Sequence, residues 1–502
     1  MKAGFGWSDA ELYENYCFNL QVRYALGYDR LGDGDFAIRT LYYFRERLSQ
    51  YYLESGINLL EQAFEQITDI QIKDLQVRTG MQRMDSTQIA SNIVNASRLQ
   101  LLVEAIQRTY RILSEADQNR LAETFAPYLK ETAGHYTYRV KGKEAVQEHL
   151  RQVGAVIYDL ITELKTTYAA DETFRVLERV FKENFHLTEE NVSPKENQEL
   201  ASDSLQSLDD LEASFRTKGK DHYKGYVANV TETCEPENDL QLITKVQVAP
   251  NNTDDSQLLA EALPNLTGRT DLDTLYTDGG HGSPSGDMAL QAHDIKHIQT
   301  AIRGRKQNLD KLHLSDFEIE SDASGNPSAI TCPQGQKVSA QPSLHKKAWV
   351  AHFETDICAA CPLADQCPAR PRKRDPRFRL RFTQEKAHAA KRRRQSQKHQ
   401  QDGRNLRAAV EATMRSIKHP FPAGKLPVRG IFRVTCLLVS SAAMINIRRI
   451  QQFLESKWMD QNQLESTENK QNSTQKMVGD YFFRFFSRVF RCQIPSIQVS
   501  KP

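Results

Sequence analysis

Apolar positions change their spacing as the chain proceeds. Up to about residue 75 they recur every three or four residues: Leu12, Tyr16, Leu20 and Tyr24, then Phe36, Thr40, Tyr43, Phe44 and Leu48. A helix returns to one side at that spacing, so a helical unit with possible DNA contact is predicted over 1–75. GMQRMDSTQIASNI breaks the habit: Thr87 and Ile89 favour strand, and Asp85 lies inside it. Helical spacing resumes from Ser97 to about Leu187, on Leu101, Leu102, Ala105 and Ile106 and later Val153, Ile157, Leu160 and Leu164. Ser193 to Asp210 is polar and acidic, so 98–211 reads as a helical insertion ending in a linker.

Strict alternation follows. Tyr226, Ala228 and Val230, then Leu240, Leu242, Thr244, Val246 and Val248, flank the turn CEPEND and predict a hairpin. Asn251 to Thr253 is expected to cap a helix from Asp254 to Leu263, and LYTDGGHGS predicts a short strand that stops at Asp278. A helix near Ala289 to Ile302 and a strand near Phe317 to Ile319 are expected next. After Arg381 a basic helix begins, and a second helix from about Asn405 ends at His419, where Pro420 and Pro422 stop it. An apolar helix over Ile431 to Ile450 should pack on the sheet. Residues 453–502 read as a polar linker and an aromatic tail with Phe482, Phe485, Phe486 and Phe490 on one helical face.

At 502 residues the chain is too long for one simple core, and two to four units are expected. The net charge of +2 points nowhere, but its distribution does: Pro368 to Lys418 holds 17 Lys or Arg against 4 Asp or Glu. Such a block is either a solvated run or a groove for nucleic-acid phosphates. Eight cysteines are too few for a disulfide scaffold, and the start lacks a basic stretch followed by an apolar run, which speaks against secretion. Val434 to Ile447 is too short and too often interrupted to span a bilayer. A cytoplasmic, nucleoid-associated protein is expected, and Trp7 so near the start suggests a missing upstream segment.

Candidate chemistry sits at three acids and four thiols. Asp85 is costly to bury within a strand unless it has a role. Asp278 is ordinary turn chemistry or a site at a strand end. Glu411 falls on one helical face with Arg407 and Lys418, which is either an ion pair on a solvated helix or a metal-binding carboxylate between phosphate-gripping cations. Cys332, Cys358, Cys361 and Cys367 suit a tetrahedral zinc site that would replace a hydrophobic core in a small loop-rich insertion over 331–382; free thiols are the alternative. Cys17, Cys234, Cys436 and Cys492 show no such spacing.

The order strand, hairpin, helix, strand, helix, strand, helix, with an acid in the first strand, one after a later strand and one on a late helix, is the layout of an RNase H-like α/β fold with two insertions. RMDSTQIASNI, GYVANVTET with ITKVQVAPNNTDD, LYTDGGHGS, CPQGQ with CAACPLADQC, and RAAVEATMRSIK with GKLPVRG together make the chain resemble a DDE transposase of bacterial insertion sequences, in the branch with a four-cysteine insertion before the last glutamate. The resemblance implies a mixed sheet with helices on both faces, a catalytic unit over 76–97, 212–330 and 383–452, and a catalytic triad of Asp85, Asp278 and Glu411. It also implies Arg four residues before the glutamate and Lys seven after, met by Arg407 and Lys418, while Arg404 and His281 stand where the family has aromatic residues. Carboxylate oxygens suit two Mg²⁺ or Mn²⁺ ions. Arg407, Lys418, Lys425 and Arg429 would contact phosphates of double-stranded transposon ends and target DNA. A homodimer or higher synaptic complex is implied by joining two ends; an inactive, DNA-binding derivative is the alternative.

Overall fold

The computed structural model describes residues 1–462, apart from 29, 31–33, 35, 95, 130–132, 136–139, 189–190, 301–306, 309, 323–324, 344–347, 373–374 and 402–405. Arg404, Cys492, the polar segment after 462 and the expected aromatic helix lie outside the described residues. The chain adopts a mixed α/β architecture, as its patterning implies.

Met81–Ile89 is the central strand of a six-stranded sheet. On one side it runs antiparallel to the long strand Asp221–Thr233, whose other edge carries Ile243–Pro250. On the other side it runs parallel to Thr274–Thr277, which is parallel to Lys296–Gln299. Ser214–Lys218 pairs with the start of the long strand, beyond the central strand's end. There the long strand bends at Gly225 (φ 130°), where a Cβ would lie 2.4 Å from the Ile89 carbonyl oxygen, so only glycine fits.

Both faces of this sheet are covered, which is why Tyr226, Val227, Ala228 and Val230 are all buried. One face holds Tyr226, Ala228, Val230 and Ile243 against the helices Ala408–Lys418 and Ile431–Asn462. The other holds Met84 and Leu275 against Asp255–Arg269 and Pro284–Ala292. Each large apolar side chain so buried contributes about 1.5–3 kcal/mol. The N-terminal helix Leu59–Asp74 lies on the first face, with Phe64 in that core and Glu65 bonded to Lys245 at 2.9 Å.

Several expectations need correction. The cap of Asp255–Arg269 is Asp254, whose carboxylate accepts from the Ser256 amide, and Asn251 instead donates to the Tyr223 carbonyl. This helix continues through Pro264 because Leu263 and Leu266 keep its apolar side on the sheet. The helix expected at 289–302 is Pro284–Ala292: Ser283 caps it with proline at its first position, and Asp294 (φ 55°) turns the chain into the outer parallel strand. The 193–210 segment is no loose linker, since Leu205 and Leu208 enter the insertion's own core and buried Asp210 accepts from Tyr226 and Ser91. The last helix does not yield to a linker at 453, because Phe453 and Leu454 pack beside Val77, Leu240 and Leu242.

By length and composition Ile431–Met459 could cross a membrane, against the sequence expectation. Its apolar side, however, lies on the sheet, and the Asn446 amide exchanges two hydrogen bonds with the Ile243 backbone (2.8 and 2.9 Å).

The cysteine insertion also departs from expectation. Six antiparallel strands, from Glu318–Ser321 to Asp375–Thr383, enclose Phe317, Ile330, Phe353 and Phe382. The unit therefore has a hydrophobic core of its own, against which Cys332, Cys358 and Cys367 pack.

Candidate active site

Strand register brings the two aspartates together. Arg83 pairs with Tyr276 across the parallel strands, and each acid lies two residues further on, hence on the same side of the sheet and at the same level. Asp85 faces Val230 on the antiparallel side, so its carboxylate belongs to the face that carries the Glu411 helix, while Met84 points to the opposite core. Asp278 follows the last residue of its strand and caps the turn Gly279–His281, accepting from the Gly280 amide at 2.7 Å.

The two carboxylates are driven in opposite directions. Burial raises the Asp85 pKa above its ordinary value; Arg407 opposes this and the nearby Asp278 adds to it. Burial acts the same way on Asp278 but is outweighed by His281, whose Nδ1 lies 2.8 Å from its Oδ1, and by the Gly280 amide, so Asp278 is held well below the usual carboxylate range. A carboxyl with a raised folded-state pKa destabilises the fold once ionised: the penalty is absent below the ordinary value and grows as pH rises through the raised one. Asp85→Asn is therefore expected to raise the melting temperature at pH 7 and to lose that gain near pH 3. Melts at the two pH values test this, and an equal or lower melting temperature at pH 7 would count against it.

His281 is fully buried, and a relay fixes its orientation. The Leu258 carbonyl can only accept, and it receives the Gln247 amide N–H at 3.0 Å. Gln247 Oε1 then accepts from Asn229 at 2.8 Å, which leaves Asn229 Oδ1 facing the imidazole Nε2 at 3.4 Å. His281 is thus braced from the far side of the sheet while it holds Asp278, a role the sequence reading did not assign.

Glu411 arrives on Ala408–Lys418, an alanine-rich helix that buries Val410, Thr413, Met414 and Ile417. One Arg407 nitrogen lies 2.9 Å from Asp85 Oδ2 and 3.3 Å from Glu411 Oε1, so the two carboxylates are no further apart than those distances combined. The helix is anchored by a buried network that the sequence reading also missed. Glu232, wholly buried on the long strand, accepts from Arg83 (2.7 Å), Arg449 (2.7 Å) and the Thr413 hydroxyl (2.8 Å), and Arg83 also donates to the Leu406 carbonyl at 2.8 Å. An acid inside a strand flagged Asp85, and the same signal stands in VTETC.

The expected phosphate contacts lie on one side of this group. Lys418 donates to the Thr87 hydroxyl at 2.8 Å, two residues from Asp85 on the same face of the central strand. Lys425 and Arg429 donate to the carbonyls of Ile93 and Asn92, and Arg429 also meets Asp209 at 3.3 Å. Part of the basic run is neutralised internally: on Gln384–Gln401, Arg392 and His388 both meet Asp287.

Asp85 and Asp278 thus stand at one level of adjacent strands, and Arg407 joins Asp85 to Glu411, with Lys418 beside them; among the described residues no three such side chains are already arranged to hold an ion. Residues 331–451 match a family model described as a transposase DDE domain. The match supports a DDE transposase. It covers most of the cysteine insertion, the basic helix, Glu411 and much of the last helix. No curated protein and no solved structure matches the chain.

Cys332, Cys358, Cys361 and Cys367 line one cavity of about 30 Å³. Burial raises the Cys358 and Cys367 thiol pKa values, and neighbouring thiols of the same set add to this. Among the described residues, however, no group of three or more His, Cys, Asp or Glu side chains is arranged to hold an ion.

Proposed function

We propose that the chain is a DDE-type transposase of an insertion sequence, with an RNase H-like catalytic unit that cleaves double-stranded DNA at element ends and joins them to target DNA. The observation that carries this reading is the placement of Asp85 and Asp278 at one level of adjacent parallel strands, with Glu411 joined to Asp85 through Arg407. The oxygen-only donor set fits Mg²⁺ or Mn²⁺. Two such ions would supply an activated oxygen nucleophile and stabilise the leaving oxygen. Within the chain, Asp85, Asp278 and Glu411 would hold them, His281 and Gly280 would keep Asp278 ionised and aimed, and Arg407 and Lys418 would receive phosphates. Joining two ends implies a homodimer or larger complex, acting on the nucleoid in the cytoplasm.

One observation favours a second reading, a transposase-derived protein that grips DNA without cutting it. Arg407 already neutralises both Asp85 and Glu411, and cation entry must loosen that contact. A supercoiled-plasmid assay separates the two: nicking in Mg²⁺ that stops in EDTA is expected, and DNA retention without nicking under either condition would overturn the enzyme reading.

The four thiols are the right donors for a structural zinc ion, and we extend the proposal to one. Elemental analysis of the purified chain is expected to give about one zinc per chain, lost in Cys358→Ser/Cys361→Ser. A zinc-free protein with the insertion folded would leave its stability to its own core.

A further inference from the structure

Beyond Lys418 the central strand runs into a cavity of about 500 Å³, of whose lining the chemistry above uses Lys418 alone. Lys224, Lys418 and Lys425 line it together with His222, Tyr223 and Ile89, and no carboxylate does. The three ammonium groups each donate to a neutral oxygen: Ala96 carbonyl at 2.9 Å, Thr87 hydroxyl at 2.8 Å and Ile93 carbonyl at 3.0 Å. Among the described residues none of the three is ion-paired, whereas Lys245, elsewhere on the same sheet, meets both Glu65 and Glu61. Burial lowers the pKa of Lys224 and of Lys418, and no acid offsets it. Two half-buried ammonium groups, Lys224 and Lys418, and the exposed Lys425 around one space, each with further N–H donors, make a site for an anion. Its rim is also strained, since Ala423 takes a left-handed conformation (φ 51°) directly before Gly424 (φ 66°).

The cavity is large for a bare phosphate and has apolar wall from Ile89, Ile93 and Ala423 as well as an aromatic ring, which suits a base attached to the phosphate. It opens one strand repeat from Asp85: two residues, ~7 Å, separate Asp85 from Thr87, where Lys418 docks. We propose that this cavity receives one unpaired nucleotide of the DNA strand leaving the acids, with its phosphate on Lys224, Lys418 and Lys425 and its base against Tyr223. The inference rests on the DNA-processing reading and adds to it a requirement for a frayed strand end.

The test uses the full chain in EDTA at fixed salt, with a fluorescein-labelled duplex that is either blunt or carries a 5′-phosphorylated overhang of three thymidines. The overhang is expected to bind about tenfold more tightly, the scale of one base stack or phosphate contact. Lys224→Gln should bring that ratio close to one while blunt-duplex affinity persists, and Lys224→Arg should restore most of it. Equal affinities in the unsubstituted chain, or a ratio unmoved by Lys224→Gln, overturn the pocket and leave the DNA reading standing. Failure to bind either duplex overturns both. Should Lys224→Gln fail to fold, Tyr223→Ala decides in its place, and an undiminished ratio there overturns the proposal.

Discussion

Glu411→Ala is expected to lower Mg²⁺-dependent plasmid nicking by about 10³-fold or more, because a carboxylate that holds a catalytic cation accounts for several kcal/mol of barrier. The fold should scarcely notice. The Glu411 side chain is 52% exposed and its contact is an i,i+4 pair with Arg407, an arrangement whose loss costs about 0.3–0.5 kcal/mol. Activity and stability are thus predicted to separate, which general damage to the helix could not produce. Glu411→Gln sharpens the comparison: it keeps the shape and can still accept from Arg407, yet it lacks the charge, so it should lose nearly as much nicking as alanine. Parallel melts and nicking time courses check both variants. Retention of more than a tenth of the unsubstituted rate by Glu411→Ala would remove Glu411 from the site.

That Glu411 could be singled out at all follows from local signals. The helix of Ala408–Lys418 is stopped by Pro420 and Pro422 and shows its Arg, Glu and Lys at spacings that share a face. Asp85 stood out as a charge within a strand, and Asp278 as the residue at which a strand stops. What the sequence could not reveal was choice of partner over long separations. Glu232 draws Arg83 from 149 positions away and Thr413 from 181, and nothing near VTETC specifies either. His281 reads as a missing aromatic until the sheet places Asn229 and Gln247 behind it. Lys296–Gln299 falls inside a predicted helix because HDIKHIQ has no clear period; it becomes a strand because a parallel neighbour with a free edge is available to pair with it. The cysteine spacing carries no sign of the core of Phe317, Phe353 and Phe382, whose burial needs six strands that are individually short and weakly patterned.

Glu232→Ala is expected to be strongly destabilising to the sheet that carries Asp85 and Asp278. Both carboxylate oxygens are engaged inside a site with no solvent exposure, so alanine leaves the guanidinium groups of Arg83 and Arg449 facing each other without an anion. Removing one partner from a buried ionic network costs about 3–5 kcal/mol, a large share of the roughly 5–15 kcal/mol that holds a domain together. Arg449 retains some access to water, which places the expectation toward the lower end. For a unit of this size the melting transition should fall by on the order of 10 °C, measurable by calorimetry. Arg83→Leu/Glu232→Leu should recover part of the loss, because it removes one of the stranded charges together with the acid; no recovery would mean that the damage is a packing defect. The network also touches function. Arg83 holds the Leu406 carbonyl ahead of Glu411 and Glu232 holds Thr413 behind it, so the same carboxylate fixes both ends of the segment that delivers the third acid. Below its lowered melting temperature, Glu232→Ala should therefore still nick DNA more slowly than the unsubstituted chain, and a full rate there would show that the Glu411 helix finds its position without this support.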